Sequence, residues 1–392
     1  MRKLLNLKLN LPLIIIFLFL GSISLITLKN INPLLSENIM YINFFKKQLV
    51  GFSLGLIAIF IIFNVNLKKV IKLINFFYFT LVIMLLILAV NPPIIGDFFV
   101  NSANGANGWF KLFSPRISFQ PVEFFKIFLI LKLAMISKIH LSNNTKDRYL
   151  LQNYVLYGYL PIFLVLKEPD LGGTVLLGFA AFMMMLCSLK NSKNVKRFLI
   201  LIIVIILLAT LLIFSTTFRE IIVKITPIQS YQLERIDSWT DPFTTDKGFQ
   251  LSQSLMLMGS SGLFGHGAGY DLLTIPEAQT DLIFVSAVAF WGVIVGILII
   301  FSYLLMLLQF FKIALYQKDI FYKFIMIGIS SLFFLQVFEN IGMMIGLLPI
   351  TGIVLPFMSY GVSALLTYCV LLGLALNISK ETIFQKKNYL GE

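Results

Sequence analysis

The feature that most constrains this chain is a series of apolar stretches, each roughly 18 residues or longer, repeated along almost its whole length. As helices, stretches of this length match the thickness of the hydrocarbon core of a bilayer. Only 12% of the 392 residues are charged and 58% are hydrophobic, whereas about 25% of the residues in a soluble globular protein are charged. The sequence therefore predicts an all-α polytopic membrane protein, folded as a single transmembrane domain over residues 1–392.

Hydropathy predicts about ten transmembrane helices. Their predicted limits are 11–28, 48–66, 70–90, 119–137, 150–166, 171–189, 198–215, 281–311, 322–346 and 353–378. The first stretch has a basic start like that of a signal peptide, but it lacks a clear cleavage site, so we expect it to be retained. A large loop, about 216–280, separates spans 7 and 8, and loops of that size tend to be functional. Within it, residues 251–265 are too short to span and are predicted to be re-entrant or interfacial.

The distribution of charge predicts the orientation in the membrane. With the N-terminus inside, 19 of the 31 Lys and Arg residues fall in inside segments and 10 fall in outside segments, whereas twelve of the 18 acids fall outside. The positive-inside rule then places both termini in the cytoplasm and the large loop outside. The net charge of +13 belongs mainly to the cytoplasmic face, where it suits anionic lipid headgroups better than nucleic acid.

Motifs for nucleotide hydrolysis and redox chemistry are missing from the sequence. It contains no Walker A loop, no Rossmann glycine fingerprint, no paired-cysteine motif and no zinc-binding helix. Cys187 and Cys369 both lie in apolar runs, and His140 and His266 are too few for a histidine metal cluster. We therefore predict no disulfide framework and no metal site built on cysteine or histidine.

Two polar clusters stand at predicted outer ends of spans. In SFQPVEFFK, residues 118–126, Gln120, Glu123 and Lys126 follow at intervals of three, close to one helix face. They either line a cavity or form a pair that merely neutralises itself near the interface. In KEPDLGGT, residues 167–174, Asp170 is a plausible N-cap. A functional role for Asp170 is compatible with capping.

A third cluster, IPEAQTDLIF, residues 275–284, sets Glu277 and Asp281 directly against an apolar run. Asp281 could cap the following helix. It also stands where a membrane-anchored substrate would meet water, and an aspartate there could act as a general base or bind a divalent cation.

Two further stretches suggest ordered structure outside simple spans. The loop sequence YQLERIDSWTDPFTTDKGFQLSQSL, residues 231–255, is rich in aromatic residues and predicts an ordered surface rather than a disordered linker. In FENIGMMIGLLPITGIVLPFMSYGVSALL, residues 338–366, Pro349, Gly352 and Pro356 break the chain between spans 9 and 10. Such a break is tolerated where the freed backbone is buried in protein or faces a cavity.

Together these stretches resemble the SEDS family of bacterial wall-synthesis proteins, typified by RodA and FtsW. The resemblance rests on QPVEFFK, EPDLGGT, DPF followed by GFQLSQSL, GSSGLFGHGAG, PEAQTDLIF and GLLPITGIVLPFMSYG, which occur in the family's order over roughly residues 100–378. Any one motif alone is a weak signal, but the ordered set is highly specific.

The resemblance implies a peptidoglycan glycosyltransferase of the bacterial plasma membrane that polymerises lipid II, with a class B penicillin-binding protein as partner. It implies that Asp281 is the catalytic residue, acting as a base or holding a divalent cation (Mg²⁺ or Mn²⁺) against the diphosphate. Lys126 and Arg235 would stabilise diphosphate charge. The residues predicted to bind substrate are Lys126, Glu123, Gln120, Asp170, Arg235, Glu277, Trp109, Ser359 and Tyr360.

The sequence departs from the family pattern at several positions. Gln279 replaces a usual histidine, Ala289 and Phe290 replace two usual glutamates, and Gly108 stands where many members carry a basic residue.

These departures keep a non-catalytic scaffold for the penicillin-binding protein as an alternative. A lipid II flippase or other transporter is a second alternative, because Glu123, Lys126, Lys132 and Glu339 could supply parts of a polar path across the membrane. The outer-face acids favour the polymerase, and the short tails favour a RodA-type over an FtsW-type role.

Overall fold

The computed structural model describes residues 10–34, 43–90, 100–103, 106–112, 114–168, 170–215, 238–244, 248–268 and 276–390. Long helices dominate these residues, which confirms the predicted class of polytopic helical membrane protein. The helices are α1 (Leu11–Ile31), α2 (Phe44–Asn64), α3 (Leu67–Val90), α4 (Pro121–Ser142), α5 (Asp147–Tyr154), α6 (Leu160–Lys167), α7 (Leu171–Ser188), α8 (Ser192–Phe214), α9 (Phe249–Ser260), α10 (Ile283–Trp291), α11 (Val293–Tyr316), α12 (Ile320–Met344) and α13 (Val362–Leu390).

The helices coincide with the predicted spans to within a few residues at most ends. Among the described residues, eight helices are long and apolar enough to cross a membrane by length and composition. Helices α4 and α8 occupy predicted spans 4 and 7. Predicted span 10 begins later than expected, at Val362 instead of residue 353, because the chain up to Gly361 is unwound.

Predicted span 5 is a composite of α5, a π-helical turn (Val155–Tyr159) and α6. Pro161, in the first turn of α6, has no N–H to donate to the carbonyl four residues earlier. The hydroxyl of Tyr78 donates to that carbonyl, on Tyr157, at 2.7 Å. A side chain from α3 thus satisfies the backbone group that the proline frees.

Predicted span 8 is not one helix, which corrects the expectation of a single segment over 281–311. Gly292 separates α10 from α11 with a φ of +85°, a conformation that favours glycine. A Cβ at this position would lie 2.1 Å from the Leu263 carbonyl oxygen. The turn after α9 packs directly against this break, and Val293 donates its N–H to the Gly262 carbonyl at 3.0 Å.

A small antiparallel sheet precedes α4 and was not predicted. Its strands are β1 (Val100–Ala103), β2 (Ala106–Leu112) and β3 (Ser114–Phe119), in the order β1-β2-β3. Asn101 pairs with Trp109 across the first two strands. The strands are too short and irregular to give a clear alternating pattern in the sequence.

The unwound segment before α13 is buried among helices, as the sequence predicts for a chain break at membrane depth. Its carbonyl groups accept hydrogen bonds from side chains of four helices. The side chains donate as follows: Ser24 to the Met358 carbonyl, Gln48 to that of Ser359, Tyr303 to that of Pro356, Gln336 to that of Val354 and Asn340 to that of Ile353. This network fixes the segment against α12, which is mostly buried.

Candidate functional site

A cavity of about 370 Å³ lies at the end of the bundle where α4, α7 and α10 begin and α6 ends. The unwound segment before α13 forms another part of its wall. Its lining residues are Gly108, Trp109, Gln120, Glu123, Lys126, Glu168, Asp170, Gly173, Leu176, Glu277, Thr280, Asp281, Gln336, Gly352, Ile353 and Val354. Several sequence motifs that are far apart in the chain therefore meet at one site.

Most of the predicted site residues line this cavity: Asp281, Lys126, Glu123, Gln120, Asp170, Glu277 and Trp109. Arg235 lies outside the described residues. Ser359 and Tyr360 are not among the residues that line the cavity. The Ser359 hydroxyl accepts from the Leu355 N–H at 2.7 Å, and the Tyr360 ring packs edge-on against Phe44. Their predicted contact with substrate stays a prediction.

Asp281 lies in a turn before α10 and does not cap that helix. The N-cap position is Leu282, which makes no side-chain capping bond. No hydrogen bond to the Asp281 carboxylate is present within the described part of the chain, and Asp281 lines the cavity. The capping alternative for this aspartate is therefore not supported.

The backbone around Asp281 is held by the unwound segment and by α12. The side-chain amide of Asn340 donates to the Asp281 carbonyl at 3.0 Å and to the Ile353 carbonyl at 2.6 Å. Gly352 adopts a φ of +77°, and a Cβ there would lie 3.3 Å from Asp281 Oδ2. A glycine thus lets the backbone approach the carboxylate closely.

The environment of Asp281 favours the protonated form of its carboxyl group. Burial, and then the nearby negative charge of Glu277, raise the pKa of Asp281 from 3.8 to about 7. Glu277 is held beside it by a tight turn, in which its carboxylate accepts from the Thr280 hydroxyl at 2.7 Å. A general base works best when its pKa is near the working pH.

Glu123 and Lys126 form a buried ion pair in the cavity wall. Lys126 Nζ lies 2.6 Å from Glu123 Oε1 and 3.3 Å from the Tyr368 hydroxyl. The Tyr368 hydroxyl in turn donates to Gln336. The pair neutralises itself, as one alternative held, but it also faces the cavity. Lys126 is therefore a cation placed next to any ligand bound there.

Asp170 both caps a helix and lines the cavity. Its carboxylate accepts from the Gly173 N–H at 2.7 Å, which caps α7. It also lines the cavity. A Cβ on Gly173 would lie 2.5 Å from Asp170 Oδ2, so a side chain at this position would require the carboxylate to shift.

The sequence reasoning missed Glu168 as a site residue. Glu168 lines the cavity and is only 1% exposed, and neither carboxyl oxygen has a hydrogen-bond partner among the described residues. Burial, and then the charge of Asp170, raise the pKa of Glu168 from 4.5 to about 8. The available signal was an acid beside a proline at the end of an apolar run.

The cavity wall is strongly acidic. Within the described chain, one cation faces five carboxyl groups: Glu123, Glu168, Asp170, Glu277 and Asp281. The same residues contain no group of three or more His, Cys, Asp or Glu side chains arranged to hold a metal ion. A protein-only cation cage is therefore not present in this part of the chain.

Three of the positions where the sequence departs from the family pattern, Gln279, Ala289 and Phe290, lie in well-packed parts of the structure. Ala289 and Phe290 are fully buried, and their carbonyl groups accept the N–H groups of His266 and Gly267. The Gln279 carbonyl accepts the Tyr360 N–H at 2.9 Å. Apolar side chains at 289 and 290 suit this buried setting, where charged ones would need partners.

Comparison with known proteins shows to which family the chain belongs. The FtsW, RodA and SpoVE family model, described as cell cycle protein, matches residues 8–383. The chain belongs to the FtsW, RodA and SpoVE family. This FtsW/RodA/SpoVE chain is 32% identical to stage V sporulation protein E of Bacillus subtilis (strain 168), over 95% of this chain and 97% of that one.

One further relative and a solved structure are also similar to this chain. It is 30% identical to the probable peptidoglycan glycosyltransferase FtsW of Geobacter metallireducens (strain ATCC 53774 / DSM 7210 / GS-15), covering 76% of this chain and 74% of the relative. Its fold is similar to the crystal structure of the rod shape determining protein RodA of Thermus thermophilus, with a TM-score of 0.63, 22% identity and coverage of 95% and 97%.

A chain of a peptidoglycan synthase complex, whose structure concerns the coordination of polymerization and crosslinking, is similar with a TM-score of 0.73. That likeness has 22% identity and covers 95% of this chain and 98% of the other. The RodA and synthase likenesses establish the shared fold.

Proposed function

We propose that this chain is a membrane-embedded peptidoglycan glycosyltransferase that polymerises lipid II, with Asp281 as its general base. The observation that carries this proposal is the placement of Asp281. Its side chain has a pKa of about 7 and faces a cavity, and no described residue donates a hydrogen bond to its carboxylate oxygens. The names of the FtsW relatives support the same reaction class.

In the proposed reaction, Asp281 takes the proton from a hydroxyl group of the acceptor sugar. The hydroxyl oxygen attacks the anomeric carbon of the donor sugar, and a new C–O bond forms. The bond between that carbon and the diphosphate breaks, and undecaprenyl diphosphate leaves with the bonding electrons. Lys126 stabilises negative charge in the cavity.

The position of the cavity supports a lipid-linked substrate. It lies where several membrane helices end, so an isoprenoid chain can remain in the bilayer while the sugars and the diphosphate enter from the aqueous side. We place this end outside the cell and both termini in the cytoplasm, on the basis of the positive charge in the opposite connections.

A divalent cation, Mg²⁺ or Mn²⁺, remains part of the proposal. Mg²⁺ is commonly bound through one or two carboxylates together with substrate phosphates. This mode is compatible with the absence of a three-ligand group among the described residues. The diphosphate would supply the remaining oxygen ligands.

We further propose a class B penicillin-binding protein as the crosslinking partner. The similarity to a chain from a peptidoglycan synthase complex supports this partner. A RodA-type role in elongation, as opposed to a role in division or sporulation, stays a prediction.

The test uses purified protein with labelled lipid II, with and without a class B penicillin-binding protein, and with Mn²⁺, Mg²⁺ or a chelator. Glycan polymer on a gel, with release of undecaprenyl diphosphate, supports the proposal. Transfer of labelled lipid II across vesicle membranes without polymer indicates a flippase. Partner binding without either activity indicates a scaffold.

A further inference from the structure

The carboxyl group of Glu168 is buried, and no described residue forms a hydrogen bond with it. It follows α6 directly, and its own N–H donates to the Val165 carbonyl at 3.1 Å, so its backbone only ends that helix. The side chain is 1% exposed, and both oxygens lack a partner among the residues that the structure describes. A buried polar group without a hydrogen bond is costly. Such a group in a cavity wall indicates that a bound ligand supplies the missing partner.

The neighbouring residues leave room for that ligand. Gly108, in β2, has no side chain, and a Cβ there would still lie 4.0 Å from Glu168 Oε2. No basic side chain reaches Glu168 from this position. The charged and titratable groups that share the cavity with it are Asp170 on its own turn, Glu123 and Lys126 on α4, and Glu277 and Asp281 before α10.

The ligand of the proposed reaction is an anion, and the cavity is already acidic. Lys126 is paired with Glu123, so each further ionised carboxylate would repel a diphosphate. A neutral carboxyl group avoids this repulsion and adds an O–H donor. The raised pKa of Glu168, about 8, is consistent with a neutral acid at pH 7.

We propose that Glu168 binds the glycosyl diphosphate as a neutral acid, with its carboxyl O–H donating a hydrogen bond to an oxygen atom of the substrate. This proposal rests on the proposed function for the identity of the ligand. The acceptor is an oxygen of the diphosphate or an oxygen of the attached sugar, since both offer the same hydrogen-bond chemistry.

The test measures binding, which does not depend on turnover. The affinity of the full-length protein for lipid II and for undecaprenyl diphosphate is measured by thermal shift, at pH 6.5 and pH 9.5. The variants are Glu168→Gln, which keeps a neutral donor, and Glu168→Leu, which removes it. The melting temperature without ligand shows that each variant is folded.

We expect wild type to lose about tenfold in affinity between the two pH values, beyond any change seen in Glu168→Gln, because ionisation removes the donor. We expect Glu168→Gln to bind like the wild type at pH 6.5, and Glu168→Leu to bind about tenfold more weakly at both pH values. If Glu168→Leu binds both ligands more weakly, the hydrogen bond from Glu168 goes to the diphosphate. If it binds only lipid II more weakly, the hydrogen bond goes to the sugar.

Two results overturn the proposal. One is a Glu168→Gln variant that binds as weakly as Glu168→Leu. The other is a wild-type pH dependence that Glu168→Gln retains in full. If wild type binds lipid II but forms no polymer, the proposed polymerase function fails while the role of Glu168 is still decided by these affinities.

Discussion

The side-chain amide of Asn340 holds the backbone carbonyl of Asp281 at 3.0 Å and, through the same nitrogen, the carbonyl of Ile353 at 2.6 Å. One residue of α12 thus joins the turn that carries the proposed base to the unwound segment that faces it. Since α12 is among the most buried helices, the position of Asp281 is tied to the core of the bundle.

We therefore expect Asn340→Leu to lower the rate of glycan polymerisation at least tenfold, because small displacements of a catalytic group are costly. Two buried carbonyls also lose a donor, so the protein should be destabilised by about 1–3 kcal/mol. Polymer assays and thermal unfolding measure the two effects.

The matched control for Asn340 is Asn377→Leu at the other end of the bundle. Asn377 donates to the carbonyls of Ile62, Phe63 and Val65. Its loss should cost similar stability but leave the activity per folded molecule unchanged. Equal loss of activity in both variants would show that Asn340 acts only through stability.

The charge of Glu277 should set the pH dependence of the reaction. Asp281 must be ionised to act as a base, so activity should rise with pH through its pKa of about 7. The negative charge of Glu277 raises that pKa, so Glu277→Gln should shift the acidic limb of the rate profile to lower pH. Glu277→Asp keeps the negative charge and should leave the acidic limb of the rate profile at the same pH. A limb that is unmoved in Glu277→Gln would remove Glu277 from this role.

Gly352 should tolerate no side chain. An alanine would adopt an unfavourable φ of +77° and place its Cβ 3.3 Å from Asp281 Oδ2. We expect Gly352→Ala to reduce polymerisation at least tenfold and to destabilise the protein by about 1 kcal/mol or more. Gly178→Ala is the control, because a Cβ at Gly178 meets nothing within 4 Å. Full activity in Gly352→Ala would contradict the proposed close approach.

The buried ion pair of Lys126 and Glu123 should affect both the stability and the activity of the protein. Lys126→Met leaves the buried Glu123 without its cation and should destabilise the protein by about 3 kcal/mol. Adding Glu123→Leu should restore stability but not activity, because the cavity still lacks its cation. Thermal unfolding and polymer assays separate the two effects.

Lys138→Met is the control for the Lys126 variants, since the Lys138–Asp319 pair is part-exposed and 4.0 Å apart. Exposed pairs contribute about 1 kcal/mol or less. Recovery of activity in the double variant would show that the pair serves stability alone.

The sequence predicted the helical class, the approximate spans and most of the candidate site. The candidate site residues could be predicted because their motifs place acids at the ends of helices, as at Glu123, Asp170 and Asp281. Each lies next to an apolar run, where a charge is expensive and therefore informative.

The sequence could not predict the features that depend on contacts between distant segments. The break at Gly292 is set by the approach of Leu263, and the residues on both sides of it are apolar. The place of Glu168 in the cavity wall could not be predicted, because the cavity forms only where β2, α4 and the turn that carries Asp281 come together. A further example lies in the described part of the large loop, where Trp239 Nε1 donates to the Gly346 carbonyl at 2.8 Å.

The most direct test of the central claim compares the wild type with Asp281→Asn in lipid II polymerisation by the purified protein and its partner, with and without a divalent cation. The account predicts glycan polymer from the wild type and a loss of at least a hundredfold in the variant, because the amide cannot accept the hydroxyl proton. Both proteins should bind lipid II and unfold at similar temperatures. Polymer formation by Asp281→Asn at the wild-type rate would contradict the account.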